Sequence, residues 1–221
     1  METVKISNIV ATFRLGQFFS ERRLKWIARH GYNTELNPNK FHSVIMRLRR
    51  PCSCDGHTPY TISALVFRNG KVMLSGARST VEVSKMAGRI SRYIQSALNE
   101  GAKLAADAHD YGKCQVKNLN IHNIVGSMTM PFRIHVEHLH NDITLSQKHT
   151  KIFKSSRFCT TVFPALRTKF ILTNQSHTLA VNIFISGKVV MTGALNIEEI
   201  TSCAQSISEL LKSYDRKLFV P

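Results

Sequence analysis

The side chains best able to do chemistry sit in two near-identical strings, Phe67-Arg-Asn-Gly-Lys-Val-Met-Leu-Ser-Gly-Ala77 and Phe184-Ile-Ser-Gly-Lys-Val-Val-Met-Thr-Gly-Ala194, the same at six of eleven positions without a gap. Each spaces an aromatic ring, a lysine and a hydroxyl in the same way: Phe67, Lys71 and Ser75, then Phe184, Lys188 and Thr192. This set offers stacking, positive charge and neutral hydrogen bonding. It lacks the nucleophile and base, or the paired carboxylates, that an enzyme would need. Neither a duplicated carboxylate pair nor a phosphate-cradling glycine loop occurs elsewhere, so the chain reads as a binder and not an enzyme. A second echo, Asn8-Ile-Val-Ala-Thr12 and Asn123-Ile-Val-Gly-Ser127, lies upstream of each string. The two copies therefore run in register, as repeats over 1–112 and 113–221. Two units of about 110 residues are too few for a solenoid and suit a pseudo-dimer facing a partner of approximate two-fold symmetry.

Charge points to that partner. Thirty Lys and Arg against fourteen Asp and Glu give a net charge of +16, the footprint of a polyanion binder. Both halves are basic, so the charge is no tail. With 43% hydrophobic residues and no stretch approaching the roughly 18 apolar residues of a membrane span, it belongs on a folded domain with no membrane partner. Met1-Glu-Thr-Val-Lys5 leads straight into a patterned segment, with no secretory signal. Five scattered cysteines (52, 54, 114, 159, 203) suit free thiols in a reducing compartment.

The elements that must position these residues repeat as well. Asn8–Phe13 and Asn123–Met128 alternate small or polar with apolar residues, the period of a strand. Ser20 is placed to cap a helix that starts at Glu21, buries Leu24, Ile27 and Ala28, and stops at Gly31. Strands are expected over 43–49, 62–67 and 72–75, and over 166–172, 179–185 and 189–192, turned by Asn69-Gly70 and Ser186-Gly187, which makes the sheet antiparallel. Each copy closes with an amphipathic helix, 83–98 and 197–211, whose apolar stripe needs a sheet face to cover. The uncovered face would carry Thr12, Arg47, Phe67, Lys71 and Ser75 with their second-half counterparts, a basic and partly apolar binding surface. Residues 99–115 are expected to be the linker. The fold class is α+β.

Together the two echoes, Asn37-Pro-Asn-Lys-Phe-His-Ser-Val-Ile-Met-Arg-Leu-Arg49, Ala64-Leu-Val-Phe67 and Val181-Asn-Ile-Phe184 resemble the core domain of the TATA-box-binding protein family, over nearly the whole chain. The resemblance implies two pseudo-symmetric repeats forming a saddle-shaped curved antiparallel sheet, with helices on the convex face. Its concave face would lie in the minor groove of double-stranded, TATA-like core promoter DNA. Minor-groove edges at A·T pairs offer acceptors, so their reader needs neutral donors and small apolar contacts. The resemblance implies that Asn8 and Asn123 donate to central bases, Val10 and Val125 pack on base edges, and Ser75 and Thr192 contact adjoining bases. Leu65, Asn182 and Val190 would complete the floor. Phe41, Phe67, Phe163 and Phe184 match the wedge residues that unstack base steps and kink the duplex, a design for which this family is itself the type example. Lys40, Arg47, Arg49, Lys71, Arg167, Lys169 and Lys188 fall where the family contacts phosphates.

The resemblance further implies a nuclear transcription initiation factor that nucleates preinitiation-complex assembly, with transcription factors IIA and IIB and associated factors as partners, and neither cofactor nor metal. Three departures qualify it. Phe41 to Phe67 and Phe163 to Phe184 are both longer than the family pattern, so each half carries an insertion. The first contains Cys52-Ser-Cys-Asp-Gly-His57, half a zinc site without a suitably spaced fourth ligand, and is expected to be a polar hairpin loop. Asn182 stands where the first half has Leu65, so half-site preference is expected to differ. The loop Phe158-Cys-Thr-Thr-Val-Phe-Pro164 has no acidic residues at Cys159 and Thr161, where the family meets transcription factor IIB. These departures point to a TATA-box-binding-protein-like paralogue or divergent lineage as strongly as to the principal factor. The competing readings are a basal-factor interaction platform with weak or altered TATA recognition, disfavoured by four intact wedge positions, and a DNA glycosylase, disfavoured by the absence of a helix-hairpin-helix with catalytic Lys and Asp.

Overall fold

The computed structural model of the chain describes residues 3–37, 39, 42–50, 59–106, 112–172, 177–215 and 217. The backbone falls into two compact units, Asn8–His122 and Asn123–Pro221 with Met1–Ser7. The first unit is built from β1 (Lys5–Arg14), α1 (Glu21–His30), β2 (Thr34–Leu36), β3 (Ser43–Arg50), β4 (Tyr60–Phe67), β5 (Lys71–Ala77) and α2 (Thr80–Leu104). The second has β6 (Lys117–Thr129), α3 (Val136–Thr144), β7 (Phe153–Cys159), β8 (Phe163–Ile171), β9 (Thr178–Phe184), β10 (Lys188–Ala194) and α4 (Ile197–Leu211). Strand order is β2, β3, β4, β5, β1 in the first unit and β6, β10, β9, β8, β7 in the second. Every pairing within a unit is antiparallel.

Period-two patterning decides which face is covered. Ile9, Ala11 and Phe13 are buried beside Val72 and Leu74, Ile62, Ala64 and Val66, and Val44, Met46 and Leu48. Over them lie the apolar stripe of α2, including Val83, Met86, Ile90 and Ile94, and α1 through Leu24 and Ile27. The second unit repeats this with Ile200, Ala204, Ile207 and Leu211 over Val189, Met191, Val181 and Ile183. Each large aliphatic side chain so buried contributes about 1.5–3 kcal/mol. Both closing helices begin with the same device. Ser79 caps Glu82 N–H while Glu82 accepts from Arg78 N–H at 2.9 Å, and Asn196 caps Glu199 N–H while Glu199 accepts from Leu195 N–H at 2.8 Å, which satisfies amide donors that a helix start leaves open.

The hairpin glycines are fixed by close backbone approach as well as by turn shape. Gly70 (φ +72°) and Gly187 (φ +93°) have no room for a Cβ because Gln17 O and Phe132 O lie against them. The segments after β1 and β6 are laced to these turns by Leu15 N–H to Gly70 O and Met130 N–H to Gly187 O, both 2.9 Å.

Several features depart from the sequence reading, among them β2 and β7, neither of which was expected. The expected linker begins as helix, since α2 runs on to Leu104. Gly101 does not break it because Trp26 of α1 packs where its Cβ would be, so tertiary packing outweighs glycine's low helix propensity. The second unit also has α3, capped by His135 with Val136, Leu139 and Ile143 buried. Behind it, Tyr214 donates to the buried Asp142 at 2.7 Å, and His149 lies 2.8 Å from the same hydroxyl. Tyr214's hydroxyl holds the Asp142 carboxyl below its usual range, helped by Lys148, while burial and that carboxylate push the Tyr214 hydroxyl up. Burial raises the thiols of Cys114 to about 11 and Cys203 to about 12. Among the described residues no helix is long and apolar enough to cross a membrane.

Candidate nucleic-acid interface

In each unit the strand face not covered by helices carries the residues that alternate with the buried ones. In the first unit Asn8, Val10, Leu65, Phe67, Lys71 and Ser75 are half-buried and Arg47 and Arg49 exposed; in the second, Asn123, Val125, Phe163, Asn182, Phe184, Val190 and Thr192 are half-buried and Arg167, Lys169 and Lys188 exposed. Lys40 and Phe41 lie outside the described residues, as do 51–58, which include Cys52, Cys54 and His57.

Each unit holds its asparagine in the same lock. Gly76 N–H donates to Asn8 Oδ1 at 2.7 Å and Gly193 N–H to Asn123 Oδ1 at 2.8 Å; Thr192 Oγ1 donates to Asn123 Oδ1 as well, at 3.2 Å. With its carbonyl oxygen engaged, the remaining hydrogen-bonding capacity of each side chain includes its amide donors, the polarity suited to an acceptor ligand. The lock depends on a register shift in each unit, between Ile9 and Ala11 in the β1–β5 pair and between Thr192 and Ala194 in β10–β6. There Gly76 (φ +101°) and Gly193 (φ +104°) adopt left-handed backbone, which glycine enters without steric cost. These glycines were not among the sequence-predicted site residues, although the Gly-Ala ending both duplicated strings is their signal.

Across the strands the two floors differ. In the first unit Thr12, Met73, Leu65, Ile45 and Glu35 are successive cross-strand neighbours. The corresponding row in the second unit is Ser127, Val190, Asn182, Arg167 and Arg157. One row is mainly apolar and ends in a carboxylate; the other is polar and ends in two guanidinium groups. A groove of about 440 Å3 opens on this second row, with Ser155, Arg157, Arg167, Lys169, Ala180 and Asn182 in its lining. Arg157 was not anticipated, because β7, which carries it, was not among the expected strands.

The aromatic residues are placed to stack. Phe163 and Phe184 meet edge to face at 5.9 Å between centroids, and the Arg167 guanidinium lies 5.7 Å from the Phe163 ring. Arg47 is less available than its sequence suggests, since it pairs with Glu35 at 2.9 Å. At the β7–β8 turn Cys159 and Thr161 are exposed. Their 3.2 Å hydrogen bond is the main cause of a lowered Cys159 thiol pKa, with further help from Val162 N–H and Arg167. Among the described residues no cluster of three or more His, Cys, Asp or Glu could hold a metal ion.

The family model for transcription factor TFIID, or TATA-binding protein, matches residues 3–97 and 118–214. A TATA-box-binding protein of Tetrahymena thermophila is 32% identical over 96% of this chain and 71% of its own length. That of Saccharomyces cerevisiae is 31% identical over 95% of this chain and 71% of its own. Among solved structures, Methanococcus jannaschii TBP matches with a TM-score of 0.63 over 95% of this chain and 98% of that one, at 23% identity, a likeness of fold.

Proposed function

The chain belongs to the TATA-binding protein family, and from that membership we propose that it is a nuclear transcription initiation factor that binds and bends TATA-like promoter DNA through the minor groove and nucleates preinitiation-complex assembly. The observation that carries this reading is the paired lock. Two asparagines at matching positions, each with its oxygen held by a glycine N–H, present amide donors from a bare sheet face, as acceptor-rich A·T edges require. Phe67, Phe163 and Phe184 supply wedges on the same faces, and Arg49, Lys71, Lys169 and Lys188 supply phosphate contacts that set affinity and orientation. Transcription factor IIA is the proposed basal partner; the uncharged, exposed Cys159 and Thr161 weaken the case for an acidic contact with transcription factor IIB.

The test is end-to-end bending of a doubly labelled TATA duplex at two salt concentrations, for the native chain and for Phe163→Ala/Phe184→Ala. Tight, salt-sensitive binding with bending that the variant loses is the expected result. Salt-sensitive binding without bending by the native chain would overturn the wedge mechanism in favour of an interaction platform.

A further inference from the structure

Where the second floor reaches strand β7 it is charged in a way that the first floor is not. Arg157 on β7 lies directly opposite Arg167 on β8, and Arg167 lies opposite Asn182 on β9. Lys169, two residues along β8 and so on the same face, stands opposite Ser155. All three cations are exposed, and among the described residues that line their groove there is no carboxylate. Like charges directly opposite one another on neighbouring strands repel, so an anion held between the two arginines relieves a repulsion that the free protein carries. In the first unit the same two places hold Ile45 and Glu35, and Arg47 is already paired with Glu35 at 2.9 Å.

We propose that Arg157 and Arg167 together clamp one backbone phosphate of bound DNA beside the Phe163 wedge, a grip of two guanidinium groups that the first unit lacks. This role presupposes that the chain binds duplex DNA through its bare faces. Position ties the clamp to the wedge, because the Arg167 guanidinium is 5.7 Å from the Phe163 ring, which itself meets Phe184 at 5.9 Å. Both arginines line the same groove of about 440 Å3, so one group can reach both. Their chemistry selects phosphate over a base edge. Minor-groove edges at A·T pairs offer only neutral acceptors, which leave two positive charges unbalanced, whereas a phosphate supplies negative charge and paired oxygens that match the guanidinium fork. The second unit thereby holds the duplex by its backbone, without regard to sequence, at a place where the first unit offers the apolar Ile45.

The full chain and Arg157→Ala/Arg167→Ala are titrated with a fluorescent TATA duplex and with copies of it in which one phosphate at a time is replaced by an uncharged methylphosphonate. The expected result is a single linkage whose neutralisation weakens the native chain by about tenfold or more and the variant by less than about twofold, while the other linkages affect both alike. Because the salt slope counts phosphates and not cations, removing both arginines should lower it by only about 0.9. Arg157→Lys/Arg167→Lys, which keeps the charge without the fork, should keep the slope and recover only part of the affinity. An identical scan in native chain and alanine variant would overturn the clamp and leave the DNA reading standing, whereas failure of the native chain to bind the unmodified duplex would overturn both. Inorganic phosphate that, at constant ionic strength, displaces the duplex from the native chain but not from the alanine variant would also overturn the clamp, by making the arginine pair a site for a free anion.

Discussion

Thr12, Met73, Leu65, Ile45 and Glu35 in one unit, and Ser127, Val190, Asn182, Arg167 and Arg157 in the other, occupy matching places on matching strands and carry different chemistry. Behind these rows the units agree closely. Ile62, Ala64 and Val66 answer to Leu179, Val181 and Ile183, all at 0% exposure. Covered positions are held by packing, where even a methylene change is felt. Bare positions answer only to the ligand, so that is where a duplicated frame diverges. The first floor suits a smooth apolar fit to base edges, and the second suits hydrogen bonding and charge.

The largest expected contrast lies in the wedges. Phe163 and Phe184 brace each other edge to face, so Phe163→Ala/Phe184→Ala should lower affinity for a TATA duplex by roughly a hundredfold or more, at about 1–3 kcal/mol per lost aromatic stack. Phe67→Ala alone should cost about tenfold. Anisotropy titrations measure both; equal losses would mean that the two units contribute alike despite their floors.

Next come the lock glycines, which look equivalent and are not. A Cβ on Gly76 would meet Thr61 O at 2.5 Å, whereas on Gly193 it would meet Thr178 O at 3.7 Å, an ordinary contact. Gly193→Ala should therefore cost only the left-handed backbone, about 1–2 kcal/mol, and Gly76→Ala about 3 kcal/mol or more because backbone must shift. Urea unfolding of the two variants checks the order. A smaller loss for Gly76→Ala would show that β4 yields more easily than its pairing suggests.

A third contrast concerns acid. Asp142 anchors the second unit through Tyr214, and its lowered pKa means the folded state holds the carboxylate better than the unfolded chain does. That stabilisation is complete above the ordinary carboxylate range and lost as pH falls through the lowered folded value. Asp142→Asn should flatten this acid limb and cost about 1–3 kcal/mol at neutral pH, measured as unfolding free energy against pH. An unchanged acid limb would remove Asp142 as its source.

What could be read from sequence follows from the same contrast. Alternation around Asn8, Leu65, Phe67, Asn182 and Phe184 exposes the open face because it reflects burial, a local and repeated signal. The helix over 99–104 was hidden because its stability comes from Trp26 packing on Gly101, a contact distant in sequence. The α3 helix was hidden by a short, histidine-rich stretch with weak propensity, although Val136, Leu139 and Ile143 step by three and four. The Asn–Gly locks required knowing that residues 8 and 76 meet, which pairing alone decides. Arg157 joined the second floor through its pairing with Arg167, on a strand rich in Ser and Lys whose apolar alternation is too weak to read.

Asn182 gives a smaller and more specific test. Its amide oxygen can accept from the guanine amino group that distinguishes G·C in the minor groove, which Leu65 cannot do. Asn182→Leu should sharpen discrimination against a G·C pair in the half-site read by the second unit by about tenfold, with little change for an all-A·T site. Relative affinities across a panel of TATA variants decide it, and an unaltered ranking would remove Asn182 from sequence readout.

The smallest contrast is in salt dependence, and it turns on one carboxylate. Arg47 shares its charge with Glu35 at 2.9 Å, while the matching Lys169 lies beside Arg157 and Arg167 in the second groove. A cation that neutralises a phosphate adds about 0.9 to the slope of log affinity against log salt, but one already neutralised by protein displaces fewer counterions. Lys169→Ala should lower the slope by close to that amount and Arg47→Ala by distinctly less. Glu35→Gln should then raise the slope, because it frees Arg47 for phosphate. Equal slopes for Lys169→Ala and Arg47→Ala, with Glu35→Gln unchanged, would mean that the ion pair opens whenever DNA arrives and that the two floors, whatever their chemistry toward bases, meet the backbone alike.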